Sequence, residues 1–246
     1  MSTPATDIAL AVETTSRFGQ VALFNGEQVI GRANFPQGPG QSQRLLPTVA
    51  DLMRTHALKP ADLQRLDVSV GPGSFTGTRV GVTFAKTLAL ATGLRVVAVP
   101  TAHVVAMNAF EGVSGDAAPK ADVLVVFDAR RGKIWCALYE ADAGVLGCRL
   151  KDAIGLATPE EALARCDRPV RILGEGAAYH AEKLTGDGVI RLGEDRCWPK
   201  VDCVARIGRF RSDNGDFADP AALVPTYVRR PEAEEKRLAA EKSSRS

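Results

Sequence analysis

Apolar and polar positions alternate in short blocks along the first hundred residues. Ile8 to Val12, Gln20 to Phe24 and Val29 to Asn34 have strand length and are parted by the polar stretch Glu13 to Gly19 and by Asn25-Gly26. Asn-Gly signals a hairpin because both residues tolerate left-handed backbone. After the Gly- and Pro-rich residues 36 to 40, Leu45, Leu46, Val49, Leu52 and Met53 recur at helical spacing. That spacing predicts an amphipathic helix over Gln43 to His56, with Ser42 as its cap. Leu66 to Val70 reads as a strand, Gly71 to Thr78 as a tight loop, Arg79 to Thr92 as a helix ended by Gly93, and Val96 to Val99 as a further strand. Strand, loop, helix and strand in that order favour a parallel crossover.

A second block repeats these ingredients. Asp122 to Phe127 and Ile134 to Tyr139 are strand-like, and the link Ala129-Arg130-Arg131-Gly132 is too short for anything but an antiparallel pair. Thr158-Pro159-Glu160-Glu161 has the cap, proline and early acids of a helix start, Val170 to Leu173 is a buried strand, and helices are predicted over Ala177 to Leu184 and Val201 to Arg209. Pro231 to Ser246 is charged, rich in serine and nearly without apolar anchors, which predicts a disordered tail. The chain divides on this basis into an α/β N-terminal part, 1–105, a second part, 106–230, and the tail, 231–246.

Composition narrows the function classes. With 246 residues, 45% hydrophobic and 24% charged, the chain can bury a substantial core. Lys and Arg total 31 against 29 Asp and Glu, so the formal charge of +2 gives no overall field able to capture nucleic acid, and any RNA contact needs a local patch or a partner. The first apolar run, Ile8 to Val12, is too short for a signal peptide or membrane span, which predicts a cytoplasmic protein with no membrane association. Five cysteines without a C-x-x-C pair suggest reduced, structural thiols. The three histidines, His56, His103 and His180, include no pair at i, i+4, so a metal site built on paired helical histidines is excluded.

The most informative stretch is Gly71-Pro72-Gly73-Ser74-Phe75-Thr76-Gly77-Thr78-Arg79-Val80-Gly81. Its glycines and hydroxyls, placed between strand and helix, expose backbone N–H groups suited to a phosphate or carboxylate, with Gly73 and Ser74 as candidates. It lacks the spacing and lysine of a Walker A loop, and the plainer alternative is a turn in which Ser74 or Thr76 caps the helix. Gly77, Gly81, Ala85 and Ala89 fall four apart and form a stripe almost without side chains, where another helix could approach closely. That helix is either Gln43 to His56 of the same chain or one from another subunit. Glu13, Thr14, Thr15 and Ser16 close the first strand and Asp128 ends the first strand of the second block. Both are candidate phosphate-orienting groups, with ordinary turn chemistry as the alternative. Gly174-Glu175-Gly176-Ala177-Ala178 joins a strand to a helix and is similar to a nucleotide-contacting loop, but G-x-G alone is read as a turn first.

Taken together, LAVETTSRFGQVALF (10–24), SQRLLPTVADLM (42–53), GPGSFTGTRVG (71–81), DARRGKIWCALY (128–139) and PTYVR (225–229) resemble the TsaB (YeaZ-type) family, in order along nearly the whole chain. Two departures are Gln41, where many relatives carry histidine, and Glu13, where many carry aspartate. The resemblance implies two actin-like (ASKHA, ribonuclease H-like) subdomains with mixed sheets flanked by helices. It also implies a non-catalytic, dimerising subunit in tRNA threonylcarbamoyladenosine synthesis that binds and activates the catalytic subunit TsaD, with the ATPase TsaE as a further partner. On this reading the chain forms a homodimer when alone, meets tRNA only through the complex, requires no metal or cofactor, and binds ATP or ADP at most weakly. The family's interface uses its first two long helices. Here these would present Leu45, Val49 and Met53 of one helix beside Gly77, Gly81, Ala85 and Ala89 of the other.

The competing reading is a nucleotide-hydrolysing or acyl-transferring enzyme using Glu13, Asp128 and the glycine loops. A metallopeptidase ranks last, since the sequence shows neither paired metal ligands nor a nucleophile motif.

Overall fold

The structure, a computed structural model, describes residues 7–36, 41–110 and 121–229. The predicted tail, 231–246, lies outside the described residues. In the first sheet, β1 (Ile8–Glu13), β2 (Phe18–Asn25) and β3 (Gln28–Pro36) are antiparallel, and β4 (Arg65–Ser69) and β5 (Arg95–Val99) continue parallel to β1, giving the order β3-β2-β1-β4-β5. Gly26 turns the first hairpin at φ 61°, as the Asn-Gly pair predicts. Helices α1 (Gln41–Thr55) and α2 (Phe75–Thr92) cover one face.

The second sheet repeats the plan. Strands β6 (Asp122–Asp128), β7 (Ile134–Ala141) and β8 (Cys148–Ala157) are antiparallel, while β9 (Val170–Leu173) and β10 (Val189–Arg191) run parallel to β6 on its other side, in the order β8-β7-β6-β9-β10. Its outer helices are short, α4 (Pro159–Leu163) and α5 (Gly176–Tyr179). Thr158 caps α4 and shares a capping box with Glu161.

Between the sheets lie α3 (Thr101–Met107) and α6 (Val201–Asp213), and each packs across the halves: α3 on the second sheet and α6 on the first. Residue 105 therefore falls inside a helix that serves the other half's sheet. Alternation along β1 explains the layering. Leu10 and Val12 join Leu66, Val68 and the inner residues of α1 and α2, whereas Ala9 and Ala11 join the core between the sheets with Val123, Val125, Phe127 and Ile207. Small residues on that inner face let α6 lie close: a Cβ on Gly208 would overlap the Asp67 carboxylate.

Three elements are absent from the sequence-based prediction: α3, β8 and β10. Strand β8 lies at the sheet edge, with Leu150 and Leu156 exposed beside Arg149 and Lys151. Boundaries differ as well: α5 ends at Tyr179, short of the predicted Leu184, and α6 runs to Asp213, past the predicted Arg209. Helix α1 already includes Ser42 in its first turn, so Ser42 is not its cap. Helix α2 starts at Phe75, four residues before Arg79, because Ser74 Oγ accepts from Gly77 N at 3.2 Å and so starts the helix early.

Candidate functional site

The residues singled out by sequence separate into three environments. Glu13, at the end of β1, is completely buried, as is Thr14. Glu13 Oε1 accepts from Thr15 N at 2.5 Å and from Thr15 Oγ1 at 2.6 Å, and Oε2 accepts from Ser69 Oγ on β4. Burial raises the Glu13 pKa against the opposing pull of the Ser69 and Thr15 hydrogen bonds. Thr15 Oγ1 also accepts from Thr101 Oγ1 at 3.2 Å, and Thr101 Oγ1 accepts from Gly71 N at 3.1 Å. This network ties β1, β4, the glycine loop and α3 together. Both Glu13 carboxylate oxygens are used inside the fold, so Glu13 does not face a ligand as its place beside the hydroxyls suggests. Thr14 Oγ1 donates to Gly77 O at 2.8 Å, and Ser16 is buried in the same turn.

The stripe Gly77, Gly81, Ala85 and Ala89 is likewise internal. All four residues are buried, and a Cβ on Gly81 would overlap Thr14 Oγ1, with Val68 Cγ2 3.6 Å away. At Gly81 the close neighbours are Thr14, in the turn after β1, and Val68 of β4. Leu45, Val49 and Met53 are buried in the same core. These seven residues, expected at a partner-facing surface, are buried within the chain's own fold.

The outward faces carry a different pattern. Val80, Phe84 and Leu88 also fall four apart, one position before the small stripe, and with Leu46, Thr83, Thr87 and Ala91 they line an apolar groove of about 450 Å³ between α1 and α2. Leu46 is 61% exposed, and Leu90 nearby on α2 is 69% exposed. The spacing of Val80, Phe84 and Leu88 was readable from sequence. The glycines drew attention away from it.

The third environment is the cleft between the halves. Gly73, Ser74 and Phe75 face Asp128, Arg130, Glu175 and Tyr179 across a groove of about 530 Å³, closed on one side by Tyr227 and Arg229. Of the candidate phosphate-binding residues, Gly73, Ser74 and Asp128 meet here, while Glu13, Thr14, Thr15 and Ser16 do not line it. Gly73 is pressed on Thr15 O, and Ser74 N donates to that same oxygen at 2.7 Å, so the glycine serves a close backbone approach. Asp128 Oδ1 accepts from Arg130 N at 3.1 Å and lies 2.9 Å from His180 Nε2. Burial, and next the neighbouring Asp128 charge, raise the Glu175 pKa. The PTYVR segment straps the glycine loop: Thr226 N donates to Val70 O at 2.6 Å, Arg79 Nε donates to the Tyr227 hydroxyl at 2.7 Å, and Tyr227 packs on Phe75 at 5.1 Å between rings. Among the described residues no group of three or more His, Cys, Asp or Glu could hold a metal ion, and no helix is long and apolar enough to cross a membrane.

Two mixed sheets of the same strand order, packed through exchanged helices with a cleft between them, place the chain in the actin-like, ribonuclease H-like class. YeaZ from Pseudomonas aeruginosa superposes with a TM-score of 0.75 at 22% identity, covering 90% of this chain and 99% of that one. A family model described as TsaD, tRNA N6-adenosine threonylcarbamoyltransferase, matches residues 40–175. The tRNA threonylcarbamoyladenosine biosynthesis protein TsaB of Bacillus subtilis (strain 168) is 32% identical over 95% of this chain and 99% of its own length. The Escherichia coli (strain K12) protein of the same name is 36% identical over 54% of this chain and 55% of its own length. The chain belongs to the TsaB family.

Proposed function

We propose that the chain is the non-catalytic, activating subunit of a tRNA threonylcarbamoyladenosine-synthesising complex, and that it docks TsaD through the groove between α1 and α2, with TsaE joining the assembly. The observation that carries this reading is the apolar groove itself. Leu46 and Leu90 stand in water on the outward side of two long helices, beside a slot floored by Phe84 and Leu88. Such a slot, rimmed by Thr83, Thr87 and Arg79, suits a helical partner that buries its own apolar face there. The same groove serves self-association when the catalytic subunit is missing. Transfer chemistry is then TsaD's, and tRNA is engaged by the assembled complex.

Co-expression with TsaD followed by size-exclusion chromatography tests the proposal. Leu46→Asp puts a charge on the wall of the groove and is expected to weaken the complex at least ~10-fold while leaving the circular-dichroism spectrum of the isolated chain unchanged. An unaltered complex would place the interface elsewhere. The alternative, a nucleotide-hydrolysing enzyme in its own right, has only the cleft residues Gly73, Ser74 and Asp128 left to it once Glu13 is internal. ATP turnover by the isolated chain that disappears in Asp128→Ala would favour this second reading.

A further inference from the structure

The cleft between the halves has a composition that neither docking a protein partner nor holding the fold together requires. The β6–β7 turn projects Arg130, Arg131 and Lys133 into solvent, and none of the three has an ion-pair partner among the described residues. Arg130 and Arg131 both adopt left-handed backbone, φ 58° and 53°, where glycine or asparagine would sit with less strain. The long cationic side chains are thus held at a costly position. Arg229 Nη2 donates to Arg130 O at 3.5 Å, which brings a further guanidinium to the same rim.

Aromatic rings interleave these charges. Tyr179, 76% exposed, and Phe75, 48% exposed, both line the groove, and Arg79 stacks on Phe75 with its guanidinium carbon 3.9 Å from the ring centroid. Tyr179 also borders an adjoining hollow that holds Trp198, over which Arg17 lies at 4.8 Å, and Arg191. The acids facing this surface are Asp128, engaged by Arg130 N and close to His180, Glu175, and Glu194, which pairs with Arg17 at 3.2 Å. Across the two hollows Arg17, Arg130, Arg191 and Arg229 stand against these three acids, with Arg131 and Lys133 exposed on the adjoining turn. Basic groups alternating with exposed rings are the means by which proteins hold unpaired nucleic acid, phosphates on the cations and bases on the rings.

We propose that this cleft binds a single-stranded segment of RNA, with phosphates on Arg130, Arg131 and Arg229 and a base stacked on Tyr179. The choice of RNA over DNA rests on the tRNA-modification reading above; the charge and stacking arguments do not. The chain then contributes its own contact to the RNA that the assembled complex holds. Because the net charge is only +2, this local cluster has to supply the attraction.

The test is fluorescence anisotropy of the full chain with a labelled unstructured RNA oligonucleotide at two salt concentrations. Arg130→Asn combined with Arg131→Gly removes both charges with residues that suit the left-handed turn, so the hairpin is kept. This variant is expected to bind at least ~10-fold more weakly, and the slope of log affinity against log salt should fall by about 0.7 for each arginine lost. Tyr179→Ala should weaken binding at least ~5-fold with the slope unchanged. Lys59→Ala, on the loop at the opposite end of β4, should bind as the unaltered chain does. The proposal is overturned if no RNA binding is seen at the lower salt, if the cleft variants bind like the unaltered chain, or if duplex RNA binds equally well. Complete displacement of the RNA by ATP would assign the groove to free nucleotide, and displacement by polyglutamate of equal charge would mark a general anion-attracting surface; either result also overturns it. Failure here leaves the Leu46 experiment untouched, since that one reads assembly with TsaD and not RNA.

Discussion

The two halves share one strand order and differ in what they attach to it. After β4 the first half has α2, of 18 residues, whereas after β9 the second has α5, of four. After β3 comes α1, with 15 residues, and after β8 comes α4, with five. A long helix covers its sheet and still has an outer face to offer, as the α1–α2 groove does. The short helices of the second half cap their sheet and end, leaving loops and rings at the cleft. The contrast reaches single residues. Glu13 and Asp128 end the corresponding strands β1 and β6, yet the first is enclosed with both oxygens bonded and the second opens onto the groove beside His180. Equivalent positions in a duplicated topology therefore do not carry equivalent chemistry; the helices that cover each half decide it.

Substitutions that press on this difference should fall in a definite order. Gly81→Leu, which forces a side chain into Thr14 and the first sheet, is expected to cost about 3 kcal/mol or more. It should lower the urea midpoint of the isolated chain, and a variant as stable as the parent would mean that the small stripe is not packed on the sheet. Glu13→Ala strands the Ser69 and Thr15 donors and leaves a void, for a loss of about 2–3 kcal/mol measured the same way. Burial raises the pKa of Asp67, next to α6, from 3.8 to about 7 despite its 2.8 Å bond to Arg65. The folded chain then keeps a proton there that the unfolded chain gives up, so this contribution to stability is complete below about pH 4 and is lost as pH rises to about 7. Urea midpoints should decline over that window, and Asp67→Asn should flatten the decline. Asp128→Ala should cost the least, below about 1 kcal/mol, since it removes one turn hydrogen bond and a half-exposed partner of His180. If Asp128→Ala proved as damaging as Glu13→Ala, the two strand ends would be equivalent after all.

Much of this architecture was legible in the residues. The Asn25-Gly26 hairpin, the β4–loop–α2–β5 unit, the Gly93 stop at φ 74°, the Thr158 cap and the antiparallel pair around Arg130-Arg131 all come from local signals, and the structure has each of them. Strand β8 escaped because at the sheet edge its exposed positions include Leu150 and Leu156, so apolar and polar residues do not alternate with burial. Helix α3 escaped because it is only seven residues long and nearly all of them, Thr101 included, are buried between the sheets, so a helical period leaves no trace. Within the cleft, Gly73, Ser74 and Asp128 were recognised as candidates and Phe75, Glu175 and Arg229 lay in marked stretches without a site role, whereas Tyr179 had no local pattern to mark it as their neighbour.

What the sequence determined by itself was the set of elements, the repeated order of strand and helix, and the family, because turn chemistry, capping and side-chain period act over a few residues. Which face of α2 turns inward was decided only by the tertiary structure. A stripe of glycine and alanine fits a helix, a neighbouring subunit or a sheet equally well; here Thr14 Oγ1 bonds Gly77 O and fills the space beside Gly81, so the stripe lies against the end of β1 and Val68 of β4, and Val80, Phe84 and Leu88 line the α1–α2 groove.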